Sequence, residues 1–359
     1  MGKKAITKNI NISNRAWTIQ CTFIVLSLLI PAIFLLAMVT GSIHIPVTEI
    51  FQSIITSDQE SLLQTQLIIT HIRLPRALLA AIIGALLGMS GAAMQGLFRN
   101  PLADPSLIGV TAGASTGASV MIVLGNSAAI GIWGLSLVSL GAFIGGILAV
   151  LLVYYLANSS TTQCVDSGIS VTTMLLAGIG MTALAGSITS IMELTADNDM
   201  LRRISLWRMG GLDGANYARV IIVTIIAGII FLLLPLYSNA LNALLLGESE
   251  ARHLGINLSS LKCSLIVLVT AAVGISVAMA GSIAFIGLVT PHIVRLLIGP
   301  DHRYLLPASA LAGSILLLSA DTIARTIIAP AELPTGIVTA IIGAPLFISL
   351  LRRYRYGYT

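Results

Sequence analysis

Charge is what this sequence has least of. Of 359 residues only 9% are Asp, Glu, Lys or Arg, where soluble domains carry about 25%, and that shortage excludes a solvated globular surface. Lysine is rarer still, present only at Lys3, Lys4, Lys8 and Lys262. No GxxxxGK[ST] phosphate loop can be assembled from these, so ATP hydrolysis has to be done by another chain. Aromatic residues make up 5% and do not interleave with basic clusters, which removes the stacking platform of a nucleic-acid binder. Cys21, Cys164 and Cys263 are scattered in or beside apolar runs, with neither metal-ligand spacing nor a disulfide framework, and read as packing residues. The net charge of +5 reflects Lys and Arg flanking a membrane.

What is there is apolar sequence in runs of spanning length, and the chain reads as an all-α integral membrane protein forming one domain over 1–359. Breaks at polar or Gly/Pro positions predict ten spans, at 17–39, 73–98, 107–125, 132–157, 170–192, 217–238, 260–281, 284–298, 305–328 and 335–351. The eighth is short and bounded by Gly and Pro. The run after the basic N-terminus is longer than the core of a secretory signal and has no small-residue cleavage site, so it reads as an uncleaved first span. Ten spans place both termini on one side, with tails at 1–16 and 352–359. Counting Lys and Arg with the N-terminus inside gives an excess on the inner side, the direction the positive-inside rule requires.

The stretch Arg73–Gly109 organises the rest. Small residues recur every fourth position at Ala80, Gly84, Gly88, Ala92 and Gly96, the spacing that lets helix backbones approach where lipid supplies no hydrophobic drive. A row of that spacing advances by about 40° per step and winds around the helix, so this helix should have neighbours on most sides. RNPLADP then breaks it at the membrane face.

Two connections stand out. ELTADNDMLRRISLWRMGGLDGAN at 193–216 places Leu201, Ile204 and Trp207 among arginines, which suits a short helix lying on the membrane surface. In 239–260, ALLLGESEARHLG sets an apolar stripe beside Glu248, Glu250, Arg252 and His253 and is closed by Gly255 in a C-cap position. A short amphipathic helix of this kind suits docking into a partner's groove. LPRALLAAIIGA at Leu74–Ala85 also echoes LPTGIVTAIIGA at Leu333–Ala344, and both should enter the membrane from the same face.

These stretches together resemble a known family. RLPRALLA, GAAMQGLFRNPLADPSLIGV, MLLAGI, LGESEARHLGI, GSIAFIGLVTPHIVR, DHRYLLPASALAGSILLLSADTIAR and ELPTGIVTAIIGAPLFISLLRR are similar, in order, to the FecCD-type permeases that import iron-siderophores, haem and vitamin B12 through ATP-driven transporters. The resemblance implies a ten-helix type II ABC importer permease in a bacterial inner membrane, with its second helix in the middle of the bundle. It also implies two cytoplasmic ATPase subunits that use the ATP, a periplasmic or lipid-anchored binding protein, and a second permease copy, most simply in a homodimer. No cofactor, metal or nucleic acid is implied for this chain itself.

Carried over residue by residue, the resemblance makes Gly247, Glu248, Ala251, Arg252 and Gly255 the ATPase-coupling segment and Arg73, Arg76 and Arg325 exposed outer-face arginines that dock the binding protein. Arg325 follows Asp321 by one turn, an i, i+4 pair that can orient it. Asn100 and Leu102, with Val171 and Thr172, match positions near a cytoplasmic gate.

Other chemistry is disfavoured. GASTG at Gly113–Gly117 fits the letter of a serine nucleophile motif but lies in an apolar span, where small residues mean tight packing. An ion-gradient-coupled carrier, the rival from a different class, places ionisable residues near the bilayer midplane; here they fall near span ends, and Gln95 within its span reads as an interhelical hydrogen bond. Iron-siderophore is the first substrate expectation, haem is close behind, and vitamin B12 is the alternative.

Overall fold

A computed structural model describes residues 2–41, 46, 60–125, 137–159 and 171–356. Among these every regular element is helical. In chain order they are α1 (Gly2–Val39), α2 (Glu60–Leu67), a π-helical turn (Ile68–Arg73), α3 (Leu74–Leu97), a 3₁₀ turn (Pro105–Ile108), α4 (Val110–Leu124), α5 (Leu137–Ser159), α6 (Val171–Thr195) and α7 (Asn198–Met209). There follow α8 (Tyr217–Leu233), a second 3₁₀ turn (Leu234–Tyr237), α9 (Ser238–Leu244), α10 (Glu248–His253), α11 (Leu258–Ala280), α12 (Ile286–Ile298), α13 (His302–Thr326) and α14 (Thr335–Tyr356).

The starts are written in the sequence as polar caps. The side chains of Asp197, Asn216, Asn257 and Asp301 accept from Met200, Arg219, Ser260 and Arg303 N–H at 2.8–3.1 Å, satisfying donors that the first turn leaves orphaned. Apolar helices occupy all ten predicted segments. Seven of them are long and apolar enough to cross a membrane, and Val110–Leu124, Ile286–Ile298 and Thr335–Ser349 are shorter. Residues 132–136 of the fourth segment, Cys164 and the end of the C-terminal tail lie outside the described residues.

The boundary before α3 differs from the sequence reading, and α1 extends back to Gly2 where a tail was expected over 1–16. The helix expected to begin at Arg73 is already continuous from Gln64 to Leu97, and α2 leads into it from Glu60. Pro75 has no N–H to give to the preceding turn, and the π-helical turn immediately before it, where Leu74 N–H donates to the Ile69 carbonyl, carries the helix past that gap.

α3 is the axis of the molecule, with most of its length buried, from Pro75 to Leu97. Its partner is α13, antiparallel to it. A Cβ added to Gly84 would lie 2.3 Å from the Gly313 carbonyl oxygen, and one on Gly88 would lie 2.2 Å from that of Ser309. On another side Gly91 meets the backbone of Gly287 and Gln95 Nε2 donates to Leu288 O at 3.1 Å, so the winding of the small-residue row does expose it to several neighbours. The GASTG tract packs the same way, Gly113 against Gly145 and Gly117 against Gly141, a helix contact between α4 and α5. Several hydroxyls inside the bundle turn back onto their own helix, as Ser276 to Ala272 O at 2.7 Å and Thr322 to Leu318 O at 2.8 Å do, which offsets their desolvation cost.

Gly84→Val should push α3 and α13 apart and cost at least about 1–3 kcal/mol, read as a fall in melting temperature of the detergent-purified protein. Gly228→Ala on α8, where an added Cβ meets nothing within 4 Å, should stay within about 0.5 kcal/mol of wild type.

Candidate coupling and docking sites

The two ends of the α3–α13 pair carry different chemistry. At the end where α3 stops, α9 and α10 form an elbow. Leu241, Leu244 and Ala251 are fully buried and anchor it, while Leu245, Leu246 and Leu254 are exposed, the last two at 69% and 64%. Gly247 has φ +122° and Gly255 has φ +82°, conformations that favour glycine. Gly255 N–H donates to Arg252 O at 2.8 Å and Ile256 N–H to Ala251 O at 3.1 Å, the C-terminal cap expected from the sequence.

Glu248 is not a free surface charge. Both its carboxylate oxygens accept from Lys262 Nζ, at 3.0 and 3.1 Å, and Arg99 approaches at 3.9 Å. Lys262 is 2% exposed, so a buried ammonium ties α10 to the N-terminal part of α11. Arg252 and His253 are exposed. The whole of Gly247, Glu248, Ala251, Arg252 and Gly255 therefore lies on one protruding elbow.

A second clasp, which the sequence reading missed, sits behind it. Asn242 Nδ2 donates to Asp301 Oδ1 at 2.7 Å, and Asn242 Oδ1 accepts from His302 N–H at 2.8 Å and lies 2.9 Å from His302 Nδ1. Burial works against the Asp301 carboxylate, but the hydrogen bonds from Asn242 and Arg303 outweigh it and hold its pKa below the usual value. The His302 ring is buried against Gly96 of α3. The only sequence signal was the polar trio in otherwise apolar surroundings.

Of the predicted gate residues, Asn100 and Leu102 follow the end of α3, and Val171 and Thr172 begin α6. Asn100 is exposed and its Oδ1 accepts from Leu102 N–H at 2.9 Å, so it shapes the turn after α3. Val171 opens α6, its side chain outside the described set, and Thr172 is exposed. The two segments meet further along, where Gly178 of α6 abuts the Leu107 carbonyl.

At the opposite end the expectation of exposed arginines is corrected. Arg73, Arg76 and Arg325 are only 4–5% exposed and are spent inside the protein. Arg76 Nε and Nη2 each lie 3.0 Å from Asp321 Oδ1, and Nη1 lies 2.7 Å from Glu332. Arg325 Nε meets Asp321 Oδ2 at 3.1 Å, the i, i+4 pair read from the sequence. Thr335 Oγ1 adds a hydrogen bond to Asp321 at 3.2 Å. Arg73 donates to the carbonyls of Met38 and Val39, and Arg325 to that of Ala37 at 3.3 Å, so two arginines cap the last turn of α1, whose carbonyls have no partner within the helix.

The physical reason is supply and demand. In a bundle with so few charges, a buried carboxylate and orphaned helix carbonyls take the nearest guanidinium groups. Glu332, the partner not foreseen, stands just before the second copy of the LP…AIIGA echo, and its pairing with Arg76 shows that both copies start at one face.

A family model described as the FecCD transport family matches residues 28–353. The chain belongs to the FecCD transport family. This FecCD chain is 41% identical to the hemin transport system permease protein HmuU of Yersinia pestis over 79% of its own length and 83% of that protein's. It is 40% identical to the cobalamin import system permease protein BtuC of Halobacterium salinarum over 80% and 74%. Among solved structures it superposes with a TM-score of 0.80 and 31% identity on an inward-facing conformation assigned to a metal-chelate type ABC transporter, covering 93% of this chain and 99% of that one.

Asp321→Asn removes the one anion shared by two buried guanidinium groups and should cost about 3–5 kcal/mol in chemical or thermal unfolding. Glu332→Gln, with its partly exposed carboxylate, should cost about 1 kcal/mol or less. Charge reversal at Arg76 should unfold this end rather than leave a folded protein.

Proposed function

We propose that this FecCD-family protein is the permease subunit of an ATP-driven importer that moves an iron chelate, iron-siderophore or haem, into a bacterial cytoplasm. All ten apolar helices cross the inner membrane, both termini and the Glu248 elbow face the cytoplasm, and a second permease copy completes the conduit. Two separate ATPase subunits use the ATP, and this chain binds none. Asn100, Leu102, Val171 and Thr172 border the cytoplasmic mouth. A binding protein delivers the chelate at the Asp321 end, where Arg73, Arg76 and Arg325 hold the docking face in shape from beneath.

The observation that carries this reading is the elbow itself. Leucines 246 and 254 are exposed on either side of a short helix that is locked to the bundle by the Glu248–Lys262 ion pair and by the buried Ala251. An isolated apolar knob on a rigid stalk transmits force from a partner's groove, since a flexible loop in its place would absorb the motion. A vitamin B12 permease of the same type is the second reading, favoured by the identity to the cobalamin permease.

Leu246→Asp with Leu254→Asp should leave the unfolding free energy within about 0.5 kcal/mol of wild type and abolish both co-purification of the ATPase and ATP-driven uptake. Uptake of the chelate by ATP-depleted vesicles with an intact ion gradient would instead identify a secondary carrier.

A further inference from the structure

At the Asp321 end a cavity of about 630 Å³ opens beneath α7, within the size range of small-molecule sites. Its lining brings together the guanidinium groups of Arg76, Arg202, Arg203 and Arg219 with the carboxylates of Asp213 and Glu332, four positive charges against two negative. The arginines are not equivalent. Arg76 is committed to Asp321 and Glu332. Arg219 gives one donor to Met279 O at 3.3 Å, while its buried Nε has no hydrogen-bond partner among the described residues. Arg202 and Arg203 are exposed and form no ion pair among the described residues.

The frame around them is rigid. Gly210 (φ +71°) and Gly281 (φ +67°) pack backbone against backbone, Gly211 N–H donates to Ala280 O at 2.8 Å, and Gly336 N–H donates to Gly210 O at 3.1 Å. α7 is thereby fixed to the ends of α11 and α14. Trp207 and Leu206 supply an apolar wall beside the charges.

We propose that this cavity binds a carboxylate-bearing chelate during its passage, with the acid groups on Arg202, Arg203 and Arg219 and the apolar body against Trp207. Guanidinium forks match carboxylates two donors at a time, and an aromatic face beside them suits a flat or apolar ligand body. The inference rests on the import reading and narrows its substrate class. It selects chelates with acidic groups, such as the propionates of haem, over ligands whose periphery is uncharged amide.

The test compares haem with its dimethyl ester, in which the propionate charges are blocked. Each is titrated against the complete permease–ATPase complex in nanodiscs of uncharged phosphatidylcholine, with binding to empty nanodiscs subtracted. Wild type should bind the acid at least about tenfold more tightly than the ester. Arg202→Gln with Arg203→Gln should erase most of that preference, and Arg202→Lys with Arg203→Lys should restore part of it. Equal binding of acid and ester by wild type, or an undiminished preference in the Gln variant, overturns the proposal. So does loss of haem binding when phosphatidylglycerol is added, which would assign the site to a lipid headgroup. ATP-driven uptake measured in parallel separates the two readings. Uptake without an acid preference leaves the importer standing and removes this site, and an acid preference without any uptake removes the importer.

Discussion

The structure depends on how closely α3 and α13 approach. Gly84 and Gly313 each fill the space where the other's Cβ would be, and that proximity is possible only because both positions are glycine. In lipid there is little hydrophobic drive between helices, so dispersion contacts between backbones have to supply the association. Once the two helices are paired, their ends determine what the protein presents on each side.

Each end is bolted by polar groups that the bundle cannot leave unpaired. At one end Asp321 binds Arg76 and Arg325 while Arg73 and Arg325 hold the last carbonyls of α1. At the other, Asn242 ties α9 to the first turn of α13 through Asp301 and His302. A single 25-residue helix, α13, thus joins the elbow proposed to meet the motor to the cluster under the proposed docking face. Breaking either bolt leaves buried charge or polar atoms uncompensated, which costs far more than a surface pair is worth.

Much of this was legible in the residues. The fourfold spacing of Ala80, Gly84, Gly88, Ala92 and Gly96 foretold a central helix, Gly255 foretold the cap of α10, and Asp321 with Arg325 foretold an ion pair. What could not be read was long-range pairing. Whether an arginine near a span end points outward or inward depends on which carboxylate reaches it, and Glu332 lies 256 positions from Arg76. Lys262 looked like a membrane-flanking charge because nothing local marks it as buried. The cavity under α7 is assembled from six separate stretches, so composition alone showed an arginine-rich loop and no more.

The central claim is that the elbow at Glu248 and the arginine-rich face lie on opposite sides of the membrane, the elbow inside. Sidedness of labelling tests it most directly. In a background with Cys21, Cys164 and Cys263 replaced by serine, single cysteines at the exposed positions Ser249 and Asp213 are exposed to a membrane-impermeant thiol reagent in intact cells. The account predicts that Asp213→Cys is labelled at once and Ser249→Cys only after permeabilisation. Labelling of Ser249→Cys from outside, with Asp213→Cys protected, would contradict it.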